Sequence, residues 1–369
     1  MRIGFDAKRI FQNTTGLGNY SRTVVKNLSE FYPENEYYLF TPTLKNKLPF
    51  AFNKNTHMVV GRGSVWRSFG VRRDIVKHNV DIYHGLSNEI PFTLKISHIK
   101  SVVTIHDLIF DHFPEYYPGV DRKFYDLKSK FAVKNSDLIF AASEATKIDI
   151  IKFYHIAPAK IKVIYQSCED LFYDRVTPEE INQQLKNYNL PSEYILYVGS
   201  INERKNLLNI CKAYLIIRKE NRVPCIVVGN GKEYSEKVKS FIHENKLQDF
   251  FIFLENVPTE HLPALYQKAI SFIYPSLYEG FGIPVLEAMV SGCPVMTSGV
   301  SSLPEVGGNA AFYFNPSNPE DIAEKINSVI ISDTIRNEMR QRGFEQIKKF
   351  NKQDIAAKIM DGYRSINST

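Results

Sequence analysis

The 369-residue chain has only four cysteines and no apolar run long enough to cross a bilayer, and these scarcities narrow its classes. Cys168, Cys211, Cys225 and Cys293 form no Cys-x-x-Cys pair and no metal-like grouping. They read as small core residues in a reducing compartment, not as a disulfide framework. A membrane-spanning helix needs roughly 18 consecutive apolar residues, and none occur. The chain passes from Met1 directly into a strand-like run, Arg2 to Asp6, with no signal-like segment. A cytoplasmic protein is expected, free or peripheral at the inner face of the cell membrane. Internal repeats and low-complexity tracts are absent too.

What is present is the composition of a soluble globular protein, 44% hydrophobic and 23% charged, with a formal net charge of +6. The mildly basic balance suits phosphate-bearing ligands or an anionic membrane surface and gives no ground for a nucleic-acid partner. The length allows two domains. Short apolar runs such as Tyr37 to Thr41, Leu138 to Ala142, Tyr194 to Val198 and Cys225 to Val228 alternate with helical patterns. That alternation argues for parallel sheets covered by helices on both faces. Residues 166 to 191 have weak strand character and many polar residues, which places the domain junction near Cys168 to Tyr173.

Five stretches carry candidate chemistry. Ile270 to Tyr274 reads as a buried strand, and a loop with Glu279, Gly280 and Gly282 follows. Pro284 then suits a first helical turn, so the run is strand, glycine loop, helix. Unpaired N–H groups at such a helix start can receive a phosphate, and Glu279 and Glu287 could flank the rest of a hydroxyl-rich ligand. An ordinary strand-to-helix turn with Glu287 solvated fits the spacing equally well. Arg204 and Lys205 stand where a strand hands over to a helix, against the helix dipole. This placement is costly unless an anion is bound, which weakens the alternative of a surface charge pair.

Lys100 to Ile105 is a strand that delivers His106 and Asp107 at its C-terminal end, where open α/β sheets bind ligands. His106 could contact a substrate hydroxyl or shuttle a proton; from the residues alone, a histidine pinned by its own loop is favoured. Thr14 to Asn19 carries Gly16 and Gly18 but comes too late after its strand for a dinucleotide fingerprint, and Ser21 replaces the third glycine. A nicotinamide dehydrogenase is therefore disfavoured, while a glycine loop facing a ligand remains. Residues 61 to 78 interleave five basic residues with Val65, Trp66, Phe69 and Val71. They could contact anionic lipid headgroups, but the run is short, and a helix with a core face and a solvated charged face is favoured.

The Glu279-x7-Glu287 pair resembles the signature of retaining glycosyltransferases of the GT-B fold, specifically glycosyltransferase family 4. The resemblance implies an α/β protein of two Rossmann-like doubly wound parallel-sheet domains facing across a cleft. It puts residues 1–170 on the acceptor side, joined by a last helix at 352–369, and residues 171–351 on the donor side. It also implies that Glu279 lies by the donor sugar, that Glu287 holds the ribose, and that the backbone of Gly280, Phe281, Gly282 and Ile283 meets the sugar and diphosphate.

Gly199-x4-Arg204-Lys205-Asn206 resembles the family element whose lysine grips the diphosphate, although Ser200 stands where many relatives carry arginine. Thr104 to Leu108 looks like the run that brings an active-site histidine, here His106, beside the transferred sugar. By the same resemblance Gly16 and Gly18 face the diphosphate, and the nucleobase rests at Val257. His106, Lys205 and Glu279 are then the expected catalytic residues. The implied reaction moves a hexosyl group, mannosyl among the options, from GDP-mannose or a UDP-hexose to a glycan or lipid-linked saccharide acceptor in surface-polysaccharide synthesis. No Asp-x-Asp occurs, so neither a metal nor another cofactor is expected. A GT-B sugar-nucleotide epimerase and a non-catalytic nucleotide-sugar binding protein are the alternatives.

Overall fold

The computed structural model describes residues 1–13, 16–44, 52–63, 65–94, 99–117 and 119–367. The chain divides into two units, Met1–Ser167 with Phe350–Thr369, and Cys168–Lys349.

The first unit is built on seven strands: β1 (Arg2–Asp6), β2 (Glu36–Thr41), β3 (Thr56–Val60), β4 (Ile82–Gly85), β5 (Lys100–Ile105), β6 (Leu138–Ala141) and β7 (Ile161–Val163). Every pairing is parallel, in the order β3-β2-β1-β4-β5-β6-β7. The central strands β4 and β6 are buried along their whole length, which is why they read as short apolar runs without alternation. The helix Lys352–Asn367 buries Ile355, Ala356, Ile359, Met360 and Tyr363, one face at helical spacing, and packs against the helix Gly16–Phe31. Burial of each such aliphatic side chain stabilises by about 1.5–3 kcal/mol.

The second unit repeats the plan with six strands: β8 (Ile195–Val198), β9 (Cys225–Val228), β10 (Phe251–Leu254), β11 (Ser271–Tyr274), β12 (Val295–Ser298) and β13 (Phe312–Phe314). Their order is β10-β9-β8-β11-β12-β13, again all parallel. All four cysteines are free and buried, Cys211 and Cys225 within the core of this unit.

Three stretches gain definition in the structure. Within the stretch 166–191, read as having weak strand character, lies a helix Pro178–Leu185. Thr177 and Glu180 close a capping box on it, with the Thr177 hydroxyl accepting from Glu180 N and the Glu180 carboxylate accepting from Thr177 N at 2.9 Å. Leu303 to Gly307 is a short helix. The basic stretch 61–78 is one wide turn, Trp66–Gly70, followed by the helix Val71–Lys77. Trp66, Val71 and Ile75 enter a core cluster with Phe40 and Tyr83, while Val65 and Phe69 stay exposed. Among the described residues no helix is long and apolar enough to cross a membrane.

Candidate active site

In the second unit the chain runs β8, β9, β10 to one side of the sheet and then returns to lay β11, β12 and β13 on the other. The C-terminal ends of β8 and β11 therefore diverge, and open α/β sheets bind ligands in the crevice such a reversal creates. β8 leads through Gly199 to a single tight turn, Glu203–Lys205, capped by the Asn202 side chain on Lys205 N. β11 leads to the loop 275–282 and then the helix Ile283–Val290. Topology alone brings Arg204 and Lys205, some seventy residues earlier, against Glu279.

The contacts are short. Glu279 Oε1 accepts from Lys205 Nζ at 2.6 Å, Arg204 Nη1 at 2.8 Å and Ser276 Oγ at 2.5 Å. Lys205 Nζ also donates to the Tyr274 hydroxyl and lies over its ring, 4.7 Å from the centroid. Burial by itself would raise the Glu279 pKa, but the charges of Lys205 and Arg204 and the hydrogen bonds from Lys205 and Ser276 outweigh it and hold the carboxyl down at about 2. Lys205 is only 9% exposed, so the surface-pair reading fails. The anion that relieves two cations beside a helix start is the chain's own Glu279, and one net positive charge remains. Serines fix the loop: Glu279 N donates to Ser301 Oγ at 2.9 Å, and Ser302 Oγ donates to the carbonyls of Glu279 and Phe281. Gly282 caps the helix at φ 116°, a conformation suited to glycine, and a Cβ there would meet Leu303 at 2.9 Å.

Glu287 sits on that helix with Val285, Leu286, Ala288, Met289 and Val290 buried around it, and is itself buried rather than solvated. Its Oε2 accepts from the Tyr266 hydroxyl at 3.2 Å. Burial pushes its pKa up to about 8; the Tyr266 hydrogen bond counters this and the charge of Glu169 adds to it. The two carboxylates thus differ in state at neutral pH, one ionised and one mostly protonated. Val257 lies half-buried just past the end of β10, and Ser200, exposed, accepts from Asn202 Nδ2 at 3.0 Å. No cation occupies the Ser200 position.

In the first unit His106 follows β5. Its Nε2–H donates to the Leu86 carbonyl at 2.9 Å and its backbone N–H to Asn88 Oδ1 at 2.9 Å, so the loop after β4 pins it and leaves Nδ1 as the unprotonated nitrogen. Burial, with a smaller contribution from the charge of Arg9, lowers its pKa to about 4 against the raising effect of the Leu86 bond. At neutral pH about one molecule in a thousand is charged. Tyr20 packs edge-on against the imidazole, centroids 4.6 Å apart. A buried chain runs back from Tyr20 through Thr104 Oγ1 at 2.9 Å and His84 Nε2 at 2.8 Å to the Tyr363 hydroxyl at 2.6 Å from His84 Nδ1.

Gly16 and Gly18 do not form a free loop, since both belong to the first turn of the helix Gly16–Phe31. Gly18 N donates to Asn13 Oδ1, and a Cβ at Gly18 would stand 1.9 Å from the Asn13 carbonyl oxygen, so that glycine serves a close backbone approach. Gly16 is exposed with open space around it. Thr14 and Thr15 of the same motif lie outside the described residues. Tyr274, Ser276, Ser301, Tyr266 and Asn88 were not anticipated; only the fold, and no local spacing, marks them.

Two parallel, doubly wound α/β units in succession, the second with a cationic switch-point crevice, define a GT-B glycosyltransferase. Comparison with known proteins agrees. The family model described as glycosyl transferases group 1 matches residues 178–346, and that described as Glycosyltransferase Family 4 matches residues 16–167. O-antigen chain mannosyltransferase B of Escherichia coli is 28% identical over 384 residues, which cover 99% of this chain and 100% of that protein. The serotype-specific mannosyltransferase WbdA of Escherichia coli is 29% identical over 299 residues, 79% of this chain but 36% of that longer protein. Sucrose-phosphate synthase from Thermosynechococcus elongatus superposes with a TM-score of 0.81 at 18% identity over 100% of this chain and 99% of its own, a likeness of fold. The chain belongs to glycosyltransferase family 4.

Proposed function

We propose that this glycosyltransferase moves a mannosyl group, with retention, from a nucleotide-diphosphate sugar to a hydroxyl of a glycan or lipid-linked saccharide destined for the cell surface. That both curated relatives above are named mannosyltransferases, one of them for O-antigen chains, supports the sugar and the setting. The observation that carries the chemistry is the pairing of Lys205 and Arg204 with Glu279 beside a helix start.

Transfer breaks the bond between the anomeric carbon and the diphosphate oxygen, whose electron pair leaves with the phosphate. The acceptor hydroxyl supplies the new bond, and its proton passes to the departing diphosphate oxygen. Developing charge on the diphosphate is met by Lys205, by Arg204 and by the first-turn N–H groups of the helix Ile283–Val290, fixed before the reaction and worth about 10²–10³ in rate per donor. The backbone of Gly280, Phe281, Gly282 and Ile283 lines that approach. Glu279 is ionised and so accepts hydrogen bonds from sugar hydroxyls once the diphosphate takes a share of its cations. Glu287 holds the ribose, Val257 the base, and neutral His106 accepts a hydrogen bond from the sugar at Nδ1. The donor-binding role falls to the unit Cys168–Lys349 and the acceptor role to the other, and the reaction calls on no metal or other cofactor.

The test is transfer from GDP-mannose, with UDP-hexoses as comparators, to a lipid-linked saccharide. Lys205→Ala should lower kcat at least about 100-fold with the circular dichroism spectrum unchanged. A rate within about threefold of the parent would refute the leaving-group role, and conversion of the donor sugar without any acceptor would replace transfer by epimerisation.

A further inference from the structure

The helix Gly119–Asn135 carries two apolar faces. One, with Ser129, Ala132 and Val133, is buried against the sheet beside β5. Opposite it, at i, i+4 and i+7, stand Val120, Phe124 and Leu127, exposed by 82%, 54% and 58%. A surface helix ordinarily puts polar side chains there. The stripe does not end with the helix. Phe131, next along it, packs against Phe92 with ring centroids 4.6 Å apart, and Phe92 stacks on Phe69, 54% exposed, at 5.6 Å. Contiguous exposed apolar surface of this kind marks an interaction site.

Its charges favour one kind of partner. Lys123, Lys130 and Lys134, all exposed, follow one edge of the stripe at helical spacing; on the other, Lys128 covers the Phe124 ring with Nζ 4.4 Å from its centroid while paired with Glu89 at 2.6 Å. The helix sequence holds five basic side chains against two acidic ones, Asp121 and Asp126. An apolar centre with a lysine border suits a surface that is apolar just below a layer of negative charge, because lysine stems cover apolar area while their heads stay in water.

We propose that the face of the helix Gly119–Asn135 bearing Val120, Phe124 and Leu127, continued by Phe69, docks this enzyme on an anionic lipid bilayer, the helix lying in the headgroup plane. This deepens the reading above by assigning the surface on which a lipid-linked acceptor is met, and it rests on that reading only for the acceptor. The geometry requires no spanning segment.

The experiment is co-sedimentation of the full chain with vesicles of phosphatidylcholine alone or mixed with phosphatidylglycerol, at low and high salt. The parent should bind the anionic vesicles, lose binding as salt rises, and bind neutral vesicles weakly. Phe124→Glu combined with Leu127→Glu should reduce the partition coefficient at least about tenfold, equivalent to about 1.4 kcal/mol. The same variant should keep the melting temperature and the transfer rate to a detergent-solubilised acceptor. Binding by the double variant equal to the parent's, or no binding by the parent, overturns the proposal. So does a parent that dimerises in solution through a face the double variant disrupts, since a second copy would then be the occupant. Vesicle binding without transfer to any acceptor would spare the docking surface and sink the functional reading instead.

Discussion

Replacing Glu287 with glutamine separates the two states in which that buried side chain can exist. With a pKa of about 8 the carboxyl is ionised in about one molecule in ten at pH 7. If it holds the ribose by accepting hydrogen bonds from two hydroxyls, the donor selects the ionised minority. The apparent affinity is then reduced by the competent fraction, about tenfold at pH 7, and weakens by about a further tenfold per pH unit below that. Donor binding must also release a proton, which calorimetry reads as a dependence of the measured enthalpy on the buffer's ionisation enthalpy.

Stability of the ligand-free protein moves the other way. Because the folded-state pKa lies above the ordinary 4.5, the contribution of neutral Glu287 is fully present below that value and is lost as pH climbs through about 8, with an upper bound near 5 kcal/mol. Glu287→Gln keeps the shape and the Tyr266 contact but cannot ionise. Its melting temperature should overtake the parent's progressively between about pH 5 and pH 8, while its donor affinity is weak and independent of pH. A parent whose affinity for the nucleotide sugar is flat over that range, or a glutamine variant with the parent's slope, refutes the ribose-holding carboxylate.

Two further substitutions probe the first unit. Gly18→Ala should destabilise by at least about 2 kcal/mol in urea unfolding, since its Cβ would stand 1.9 Å from the Asn13 carbonyl oxygen and backbone must move; a change below about 0.5 kcal/mol would mean the helix start is not held there. Tyr20→Phe removes the hydroxyl that bonds Thr104 while keeping the ring that packs on His106, and should cost about 1–3 kcal/mol of stability with little change in KM for the donor. A large rise in KM with unchanged stability would assign Tyr20 to substrate instead.

The inner strands were legible because each is short, largely apolar and closed by glycine, proline or a polar residue, the pattern of strands buried on both faces. The helix Pro178–Leu185 was equally legible and was passed over, since Thr177-Pro178-Glu179-Glu180 is a capping box with proline at the first position. Behind it, Asn182 and Gln183 sit on its outer face. Glu287 offered a subtler sign. A carboxylate between Leu286 and Ala288, in a helix whose every other position from Val285 to Val290 is apolar, has no solvent face to occupy.

The partnership of Glu279 with Arg204 and Lys205 could not be read from spacing, because it exists only where two halves of a sheet diverge. Local electrostatics did show that the cations needed an anion, without showing which. That the chain supplies its own alters what the crevice can do. A site of unpaired lysine and arginine would hold any phosphate it met, including the departing diphosphate, and slow its release. Under the proposed function an incoming diphosphate competes with a carboxylate already at 2.6 Å from Lys205 Nζ, and its departure returns Glu279 to both cations. On the proposed mechanism Glu279 Oε1 is released as a diphosphate takes its cations, so its capacity to bind sugar hydroxyls grows with the arrival of the leaving group that makes the sugar reactive. Net affinity for phosphate is thereby lowered and its coupling to the sugar raised, which is the balance a transferase needs to discriminate a nucleotide sugar from the nucleotide it leaves behind.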